Sequence, residues 1–404
     1  MSSGAAPGPL TGMTVVECAS IVLGPLAAQY LGDLGADVIK VEPAGGDLTR
    51  RIGPRRSPAM GSFFLTNNRN KRSVVLDLKN PAGRATLDRL VDRADVFLHS
   101  IRGAAAQRLG LDHATLAARN PRLVYCHVKG FADDGPYGGK PAYDDIVQSL
   151  SGLAMLQTVV TGEPRYMPAI FADKVTAVHA AYAMMGALLH RERTGAGQRV
   201  DVPMFETMAG FNTVEHLWGH TFEPPIGPMG YEPVSTAARR PFPTLDGHLS
   251  FLPYSDVQWK RFFSLIGRDD VMDDPRFATF AGRQENVSLV WGEIAHQLTL
   301  RTNAEWTELL GSEDIPFAVV NSLEQLTEDP HLVDTGFWQL HQDPVEGTLR
   351  FPTSSLGLSG SPAGLRRLPP RLGEHTREVL GEIGLDDAAI EHLAAEGGTD
   401  LDPA

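Results

Sequence analysis

Thr14-Val15-Val16-Glu17-Cys18, the run Gly24 to Gly35, and Asp37-Val38-Ile39-Lys40-Val41-Glu42 follow one another near the start of the chain, and their order decides the fold class. The first and third segments are short and rich in β-branched residues, as buried strands are. The middle segment carries Gly24-Pro25 in its first turn and Gly35 at its end, the places where a helix tolerates proline and favours glycine. The alternation continues. Ser73 to Leu78 reads as a third strand, and Asn80-Pro81 opens a helix through Arg93, with Asn80 as N-cap and Pro81 as first helical residue. Asp95 to Leu98 and Leu123 to Val128 read as fourth and fifth strands. Short strands between amphipathic helices predict an α/β fold, a Rossmann-like open sheet in a large domain.

Farther along, the texture changes. Thr221 to Pro243 holds six prolines and two glycines, which predicts a linker or extended crossing segment. Beyond it a strand (Gly247 to Pro253) and helices (Val257 to Ile266, Val287 to Leu298, Asn303 to Leu310) predict a smaller α+β domain. A strand at Gly347 to Phe351 and a terminal helix at Thr376 to Ile383 close the chain. At 404 residues the chain has room for two or three domains.

Lys plus Arg number 36 and Asp plus Glu 49, a formal charge of −13. No nucleic-acid partner is expected of so acidic a chain. The longest apolar run, Val175 to Leu189, is interrupted by His179 and small residues, so no membrane span is expected. The first residues lack a basic stretch followed by an apolar one, so no secretory leader is expected. Two cysteines, Cys18 and Cys126, are too few for a disulfide framework or zinc ribbon. Together these features predict a soluble, cytoplasmic enzyme.

The familiar cofactor signatures are absent. No G-x-G-x-x-G follows the first strand, no G-x-x-x-x-G-K-[ST] occurs, and there is no G-x-S-x-G, which disfavours a nucleotide-dependent dehydrogenase despite the sheet pattern. His216 and His220 have i, i+4 spacing but no evident third ligand, so no metal site is expected. The basic groups Arg50, Arg51, Arg55, Arg56 and Arg69, Lys71, Arg72 read either as solvated faces or as a docking place for a small polyanion. Asp173 precedes a helix whose apolar face is Val175, Val178, Tyr182, Met185 and Leu189. It is placed at or near the N-cap, where free backbone N–H groups and the positive helix end favour an ionised carboxylate. By spacing alone it is an ordinary capping aspartate.

Several motifs in order resemble the class III coenzyme A transferases, the CaiB/BaiF type that includes formyl-CoA and carnitine CoA-transferases and the α-methylacyl-CoA racemases. They are Leu10 to Glu17, Gly24-Pro25, Leu34 to Glu42, Asn70 to Val74, Lys129-Gly130-Phe131, Pro141-Ala142-Tyr143-Asp144, Gln148 to Gly152, Arg193 to Gln198 and Asp274-Pro275-Arg276-Phe277. The resemblance implies a transferase that moves CoA between an acyl-CoA and a small carboxylic acid, with CoA as co-substrate and neither metal nor redox cofactor. Asp173 matches the family's nucleophile, which passes through an aspartyl anhydride and an aspartyl-CoA thioester. Val22, Leu76, Leu78, Lys79, Ser100, Ile101, Arg108 and Lys129 match CoA-contacting positions, with Arg108 and Lys129 the expected partners of phosphate or pantetheine. Tyr143 and Asp144 fall in the substrate pocket.

The same resemblance implies a discontinuous large CoA-binding domain (1–220 with 329–404), a linker (221–243), a small domain (244–328) and an interlocked, ring-like homodimer. Two departures stand out. Pro43 occupies the place of an arginine that reaches the nucleotide in formyl-CoA transferases, a role some residue of Arg69 to Arg72 is expected to take. Leu252-Pro253-Tyr254-Ser255 lacks their glycine run, which speaks against an oxalate and formate substrate pair. The alternative activity is α-methylacyl-CoA racemisation. There a His-Asp step supplies one of the two bases, and Tyr143-Asp144 stands where that step would be. A phenol is a poor base at pH 7, which favours transfer. A CoA-binding protein without turnover is disfavoured because Asp173 is retained.

Overall fold

The computed structural model describes residues 6–403 except Pro233 and Ala238. The outermost residues assigned above to the large domain, 1–5 and 404, lie outside the described residues, as do Pro233 and Ala238 of the Pro-rich span. The chain divides into two compact units. The larger takes the described residues up to Thr158, then Glu163–Glu215 and those from Gly336 onward. The smaller takes Val159–Gly162 and His216–Thr335, so the Pro-rich span lies within it.

In chain order the larger unit begins β1 (Thr14–Cys18), α1 (Leu23–Asp33), β2 (Asp37–Glu42), α2 (Ser62–Asn67), β3 (Lys71–Val75), α3 (Pro81–Val91), β4 (Val96–His99), α4 (Gly103–Arg108), α5 (His113–Arg119) and β5 (Val124–Lys129). Then follow α6 (Asp144–Leu150), α7 (Leu153–Leu156), α8 (Thr158–Thr161, all but its first residue in the smaller unit), α9 (Phe171–Thr194), β6 (Gln198–Pro203) and α10 (Met204–His216, its last residue in the smaller unit). The six strands form one parallel sheet in the order β3-β2-β1-β4-β5-β6. The order reverses between β1 and β4, and ligands of open α/β sheets sit outside the carboxyl ends of the strands at such a point.

The sheet is buried on both sides, which explains its β-branched, non-alternating strands. Val15, Val38, Leu98 and Cys126 pack beneath α1 and α9. Val16, Ile39, Phe97 and Tyr125 face the opposite layer, which includes Leu87 and Leu90 of α3.

Several elements fall where the sequence places them, and Asn80 caps α3 through its side chain, which accepts from the Ala82 N–H. Two strands differ. The third begins at Lys71 and ends at Val75, earlier than the apolar pattern indicates. Its first residues are buried ions, so hydrophobicity misses them. Lys71 reaches Glu17 at 2.7 Å, and Arg72 pairs with Asp37, Glu378 and Glu382. The edge strand β6 is half solvated, ends in proline and has no apolar run to betray it.

In the smaller unit, β7 (Phe242–Pro243), β8 (His248–Phe251) and β9 (Phe317–Val319) form an antiparallel sheet. Its helices are α11 (Asp256–Leu265), α12 (Pro275–Ala278), α13 (Phe280–Glu285), α14 (Val287–Leu298), α15 (Asn303–Leu310) and α16 (Pro330–Asp334). An aromatic core of Phe251, Trp259, Phe262, Phe263 and Trp306 holds them together. The chain then returns to the larger unit as the hairpin β10 (Trp338–Asp343) and β11 (Gly347–Pro352) and the helices α17 (Thr376–Glu382) and α18 (Asp387–Ala395). Leu380, Ile390 and Leu393 of these last helices complete the core on the α3 face.

Candidate active site

The loop from β1 into α1 is the first wall of the site. Ile21 takes a left-handed backbone conformation (φ 72°), which costs a β-branched residue of order 1–3 kcal/mol. Both of its peptide groups are anchored: the Ile21 N–H lies 3.3 Å from the Asp47 carboxylate, and the Asn67 side chain donates to the Ile21 carbonyl at 2.8 Å. The bend sets Val22 at the start of α1. Gly24 is required there, since a Cβ would lie 2.3 Å from that of Ala19. Gly130 after β5 is similarly constrained by Ala142, at 2.4 Å.

Beneath this loop lies a buried ionic cluster. Lys40 and Lys71 both contact Glu17, at 2.8 and 2.7 Å, and Lys40 also contacts Asp47 at 3.1 Å. Burial draws Lys71 down to about 8, with Glu17 opposing, whereas Glu17 and Asp47 outweigh burial at Lys40 and raise it. Arg50 is fully buried, 2.7 Å from Glu42 and with its guanidinium stacked over Phe64. Arg69 pairs with Asp33 at 2.7 Å. The basic groups are therefore not uniformly solvated, and four of their members are already paired inside the protein. Arg50, Arg69, Lys71 and Arg72 are internal ion pairs, and Arg51 and Arg55 remain exposed. Nothing in Arg69 to Arg72 is left to replace an arginine at Pro43.

Two clefts open at the carboxyl ends of the strands. The first, about 260 Å³, is lined among others by Val22, Ser100, His127, Lys129, Tyr143 and Asp173. The second, about 420 Å³, is lined by Leu76, Leu78, Lys79 and Ile101, and shares Ser20, Leu48 and Ser100 with the first. Arg108, exposed at the end of α4, lines neither cleft. Arg102, which the sequence reading passes over, stands in the first. Lys129 lies in the cleft wall but contacts Asp133 at 2.5 Å and Asp201 at 2.8 Å, so its charge is already matched. Tyr143 is 67% exposed and is no core aromatic.

Asp173 lies near the helix start, as expected, but does not cap it. Ile170 is the N-cap and makes no side-chain cap; Asp173 sits in the first turn of α9. Its backbone N–H donates to Asp144 Oδ1 at 3.0 Å. Burial, with Asp144 adding to it, pushes the Asp173 carboxyl up to about 7. The helix end therefore does not hold it in the ordinary carboxylate range, and near neutrality it is poised between protonated and ionised. Asp144 is buried. Its Oδ2 accepts from Gln148, whose Oε1 takes the Met167 N–H at 2.8 Å. The apolar face expected for α9 also differs. The buried side combines alanines (Ala172, Ala177, Ala180, Ala181) with Met184 and Leu188, while Val178, Tyr182, Met185 and Leu189 are 51, 61, 39 and 54% exposed.

Cys18, His99, His127 and Asp201 form one row across β1, β4, β5 and β6. The His99 and His127 rings stack at 4.3 Å, and burial holds both imidazoles below their ordinary range, His127 at about 4. His127, Asp133 and Asp201 converge as metal ligands would, but the Lys129 ammonium lies against both carboxylates, and Arg199 lies 2.7 Å from Asp201. The histidine pair at i, i+4 does not share a helix: His216 ends α10, His220 lies in a separate 3₁₀ turn, and His216 Nδ1 accepts the Tyr231 N–H at 3.1 Å. Among the described residues, no helix is long and apolar enough to cross a membrane.

The sequence profile of CoA-transferase family III matches residues 10–376. The chain is 32% identical to the succinate–glutarate CoA-transferase of Agrobacterium fabrum, over 93% of this chain and 96% of that one. It is likewise 32% identical to the formyl-CoA:oxalate CoA-transferase of Streptomyces avermitilis, over 96% and 98%. The crystal structure of a CaiB/BaiF family protein from Brucella suis superposes with a TM-score of 0.82 at 29% identity, covering 93% of this chain and all of that one.

Proposed function

This chain belongs to CoA-transferase family III and is a CoA-transferase with coenzyme A as co-substrate, and from that membership we propose that Asp173 is its nucleophile. The observation that carries the proposal is a carboxyl in the first turn of α9, facing a cleft at the sheet's switch point and titrating near neutrality. An Asp173 oxygen attacks the donor's thioester carbonyl. The C–S bond breaks, leaving an acyl-aspartyl anhydride and CoA thiolate. The thiolate attacks the aspartyl carbonyl, releasing the donor acid and forming an aspartyl-CoA thioester. The acceptor carboxylate displaces CoA in turn, making a second anhydride. The thiolate then takes the acceptor acyl group and restores the Asp173 carboxylate. Each step exchanges one acyl bond for another, so the thioester is conserved and no outside energy source enters.

In this reading the pantetheine arm lies in the first cleft against Val22, Ser100 and Lys129, with Tyr143 beside the acyl group. The nucleotide end reaches the second cleft at Leu76, Leu78, Lys79 and Ile101, and Arg108 meets phosphate from outside. The partners are an acyl-CoA and a small carboxylic acid. A homodimer is part of the proposal, supported by the uncovered apolar stripe Val178, Tyr182, Met185 and Leu189. A cytoplasmic setting suits the two unpaired thiols. The test is to incubate enzyme with an acyl-CoA that it turns over, quench with hydroxylamine and map the modified peptide. Label on Asp173 is the expected result; label confined to another carboxyl refutes it. Light scattering of the purified protein at twice the chain mass tests the dimer.

A further inference from the structure

Gln148 lies on α6, fully buried, one helical turn after Asp144. A buried primary amide is costly to leave unsatisfied, and this one has a partner on each side. Its Oε1 accepts the Met167 N–H at 2.8 Å. Its Nε2 donates to Asp144 Oδ2 and lies 3.3 Å from the Ala169 carbonyl. Met167 and Ala169 belong to the segment that enters α9, and Asp144 Oδ1 accepts the N–H of Asp173 at 3.0 Å. One amide therefore grips both the approach to the Asp173 helix and the carboxylate that fixes Asp173 itself.

We propose that Gln148 is a positioning residue for the transfer reaction, acting through Asp144 to hold Asp173 in its attacking position. Gln148 lines neither cleft, so it touches no substrate. Its side chain can influence the reaction only through the groups it bonds. Two carboxylates on adjoining segments repel one another. Asp144 stays turned toward the Asp173 N–H because one oxygen takes that N–H and the other takes the Gln148 amide. Without the amide donor Asp144 is free to rotate, and the first turn of α9 loses its outside anchor.

The inference rests on Asp173 being the nucleophile, and the experiment separates the two. Gln148→Met removes all three side-chain hydrogen bonds at similar volume; Gln148→Glu keeps an acceptor for Met167 and loses the amide donor to Asp144 and Ala169. Both are made in the wild-type chain and in Asp144→Asn, which retains an oxygen for the Asp173 N–H. In the wild-type background kcat falls roughly 10- to 100-fold, as small displacements of a nucleophile do, while KM for the acyl-CoA changes by less than about twofold. In Asp144→Asn the same changes lower kcat by less than about twofold, because linked residues are not additive. Equal losses in both backgrounds, or a loss confined to KM, overturn the proposal. If Gln148→Met does not fold, Gln148→Glu supplies the same comparison. Hydroxylamine mapping on the unaltered enzyme stands apart: label away from Asp173 refutes the nucleophile, whereas failure of the cycle with label on Asp173 refutes Gln148 alone.

Discussion

Replacing Asp144 by asparagine removes a charge and keeps one oxygen to accept the Asp173 N–H, while giving up the second oxygen that accepts from Gln148. The Asp173 carboxyl sits at about 7, against an ordinary 3.8, and burial is the larger cause with Asp144 second. Burial survives the substitution, so Asp144 accounts for less than half of the rise, roughly one pH unit or about 1.4 kcal/mol. The rising acidic limb of kcat/KM, which reports the free enzyme's essential base, should move from near pH 7 to near pH 6. Rates at pH 6, each expressed against the same enzyme's plateau, should then rise about fivefold, because the ionised fraction there goes from about a tenth to about a half. The assay follows acyl-CoA consumption by mass across pH 5 to 9 with a fixed acceptor. A limb that stays in place shows that Asp144 does not act on Asp173 electrostatically. A limb that moves upward shows that the asparagine has lost the N–H contact and left the carboxyl drier.

Other outcomes test neighbouring parts of the argument. Asp173→Asn should stabilise the fold in alkali. The native carboxyl holds its proton more firmly than the unfolded one, so its contribution is fully present below about pH 4 and is lost as pH rises through about 7. The variant should gain roughly 2–4 kcal/mol at pH 8 and nothing at pH 4 by chemical unfolding, while losing turnover. Glu17→Gln leaves Lys71 a buried cation without a carboxylate and Lys40 with Asp47 alone, and a loss of about 3–5 kcal/mol is expected in the same assay. His127 binds its proton far less readily when folded, so it favours the native state above about pH 6.5 and loses that contribution as pH falls toward 4. His127→Phe should flatten the acid limb of a stability profile. Incubating a 2-methylacyl-CoA in D₂O with labelled free acid should exchange label into CoA without α-deuteration; rapid deuteration without exchange would identify a racemase.

Most of the open parallel sheet was legible because β1, β2 and β5 are short apolar, β-branched runs set between helical patterns, signals that survive without knowledge of contacts; the half-solvated edge strand β6 carries no such run. Asp173 was legible as a residue opening a helix, and its role came from resemblance, since an aspartate in a first helical turn is by itself unremarkable. The sequence pattern fails where polarity and burial part company. Lys71, Arg72 and Arg50 carry the charges of surface residues, yet Glu17 and Asp37, distant in sequence, and Glu42, eight residues before Arg50, draw them inside. The stripe Val178 to Leu189 has the periodicity of a core face, but the neighbouring face, alanines with Met184 and Leu188, is the one that packs inward, and the stripe itself is left outside. The acidity of Asp173 is the sharpest case. Helix position argues for an ionised carboxylate, and that argument needs only local sequence. Burial and the carboxylate of Asp144, some thirty residues away along the chain, act through space and in the opposite direction. Local spacing fixes which groups a helix can present; only the folded chain decides what surrounds them, and the surroundings set the energy of a charge.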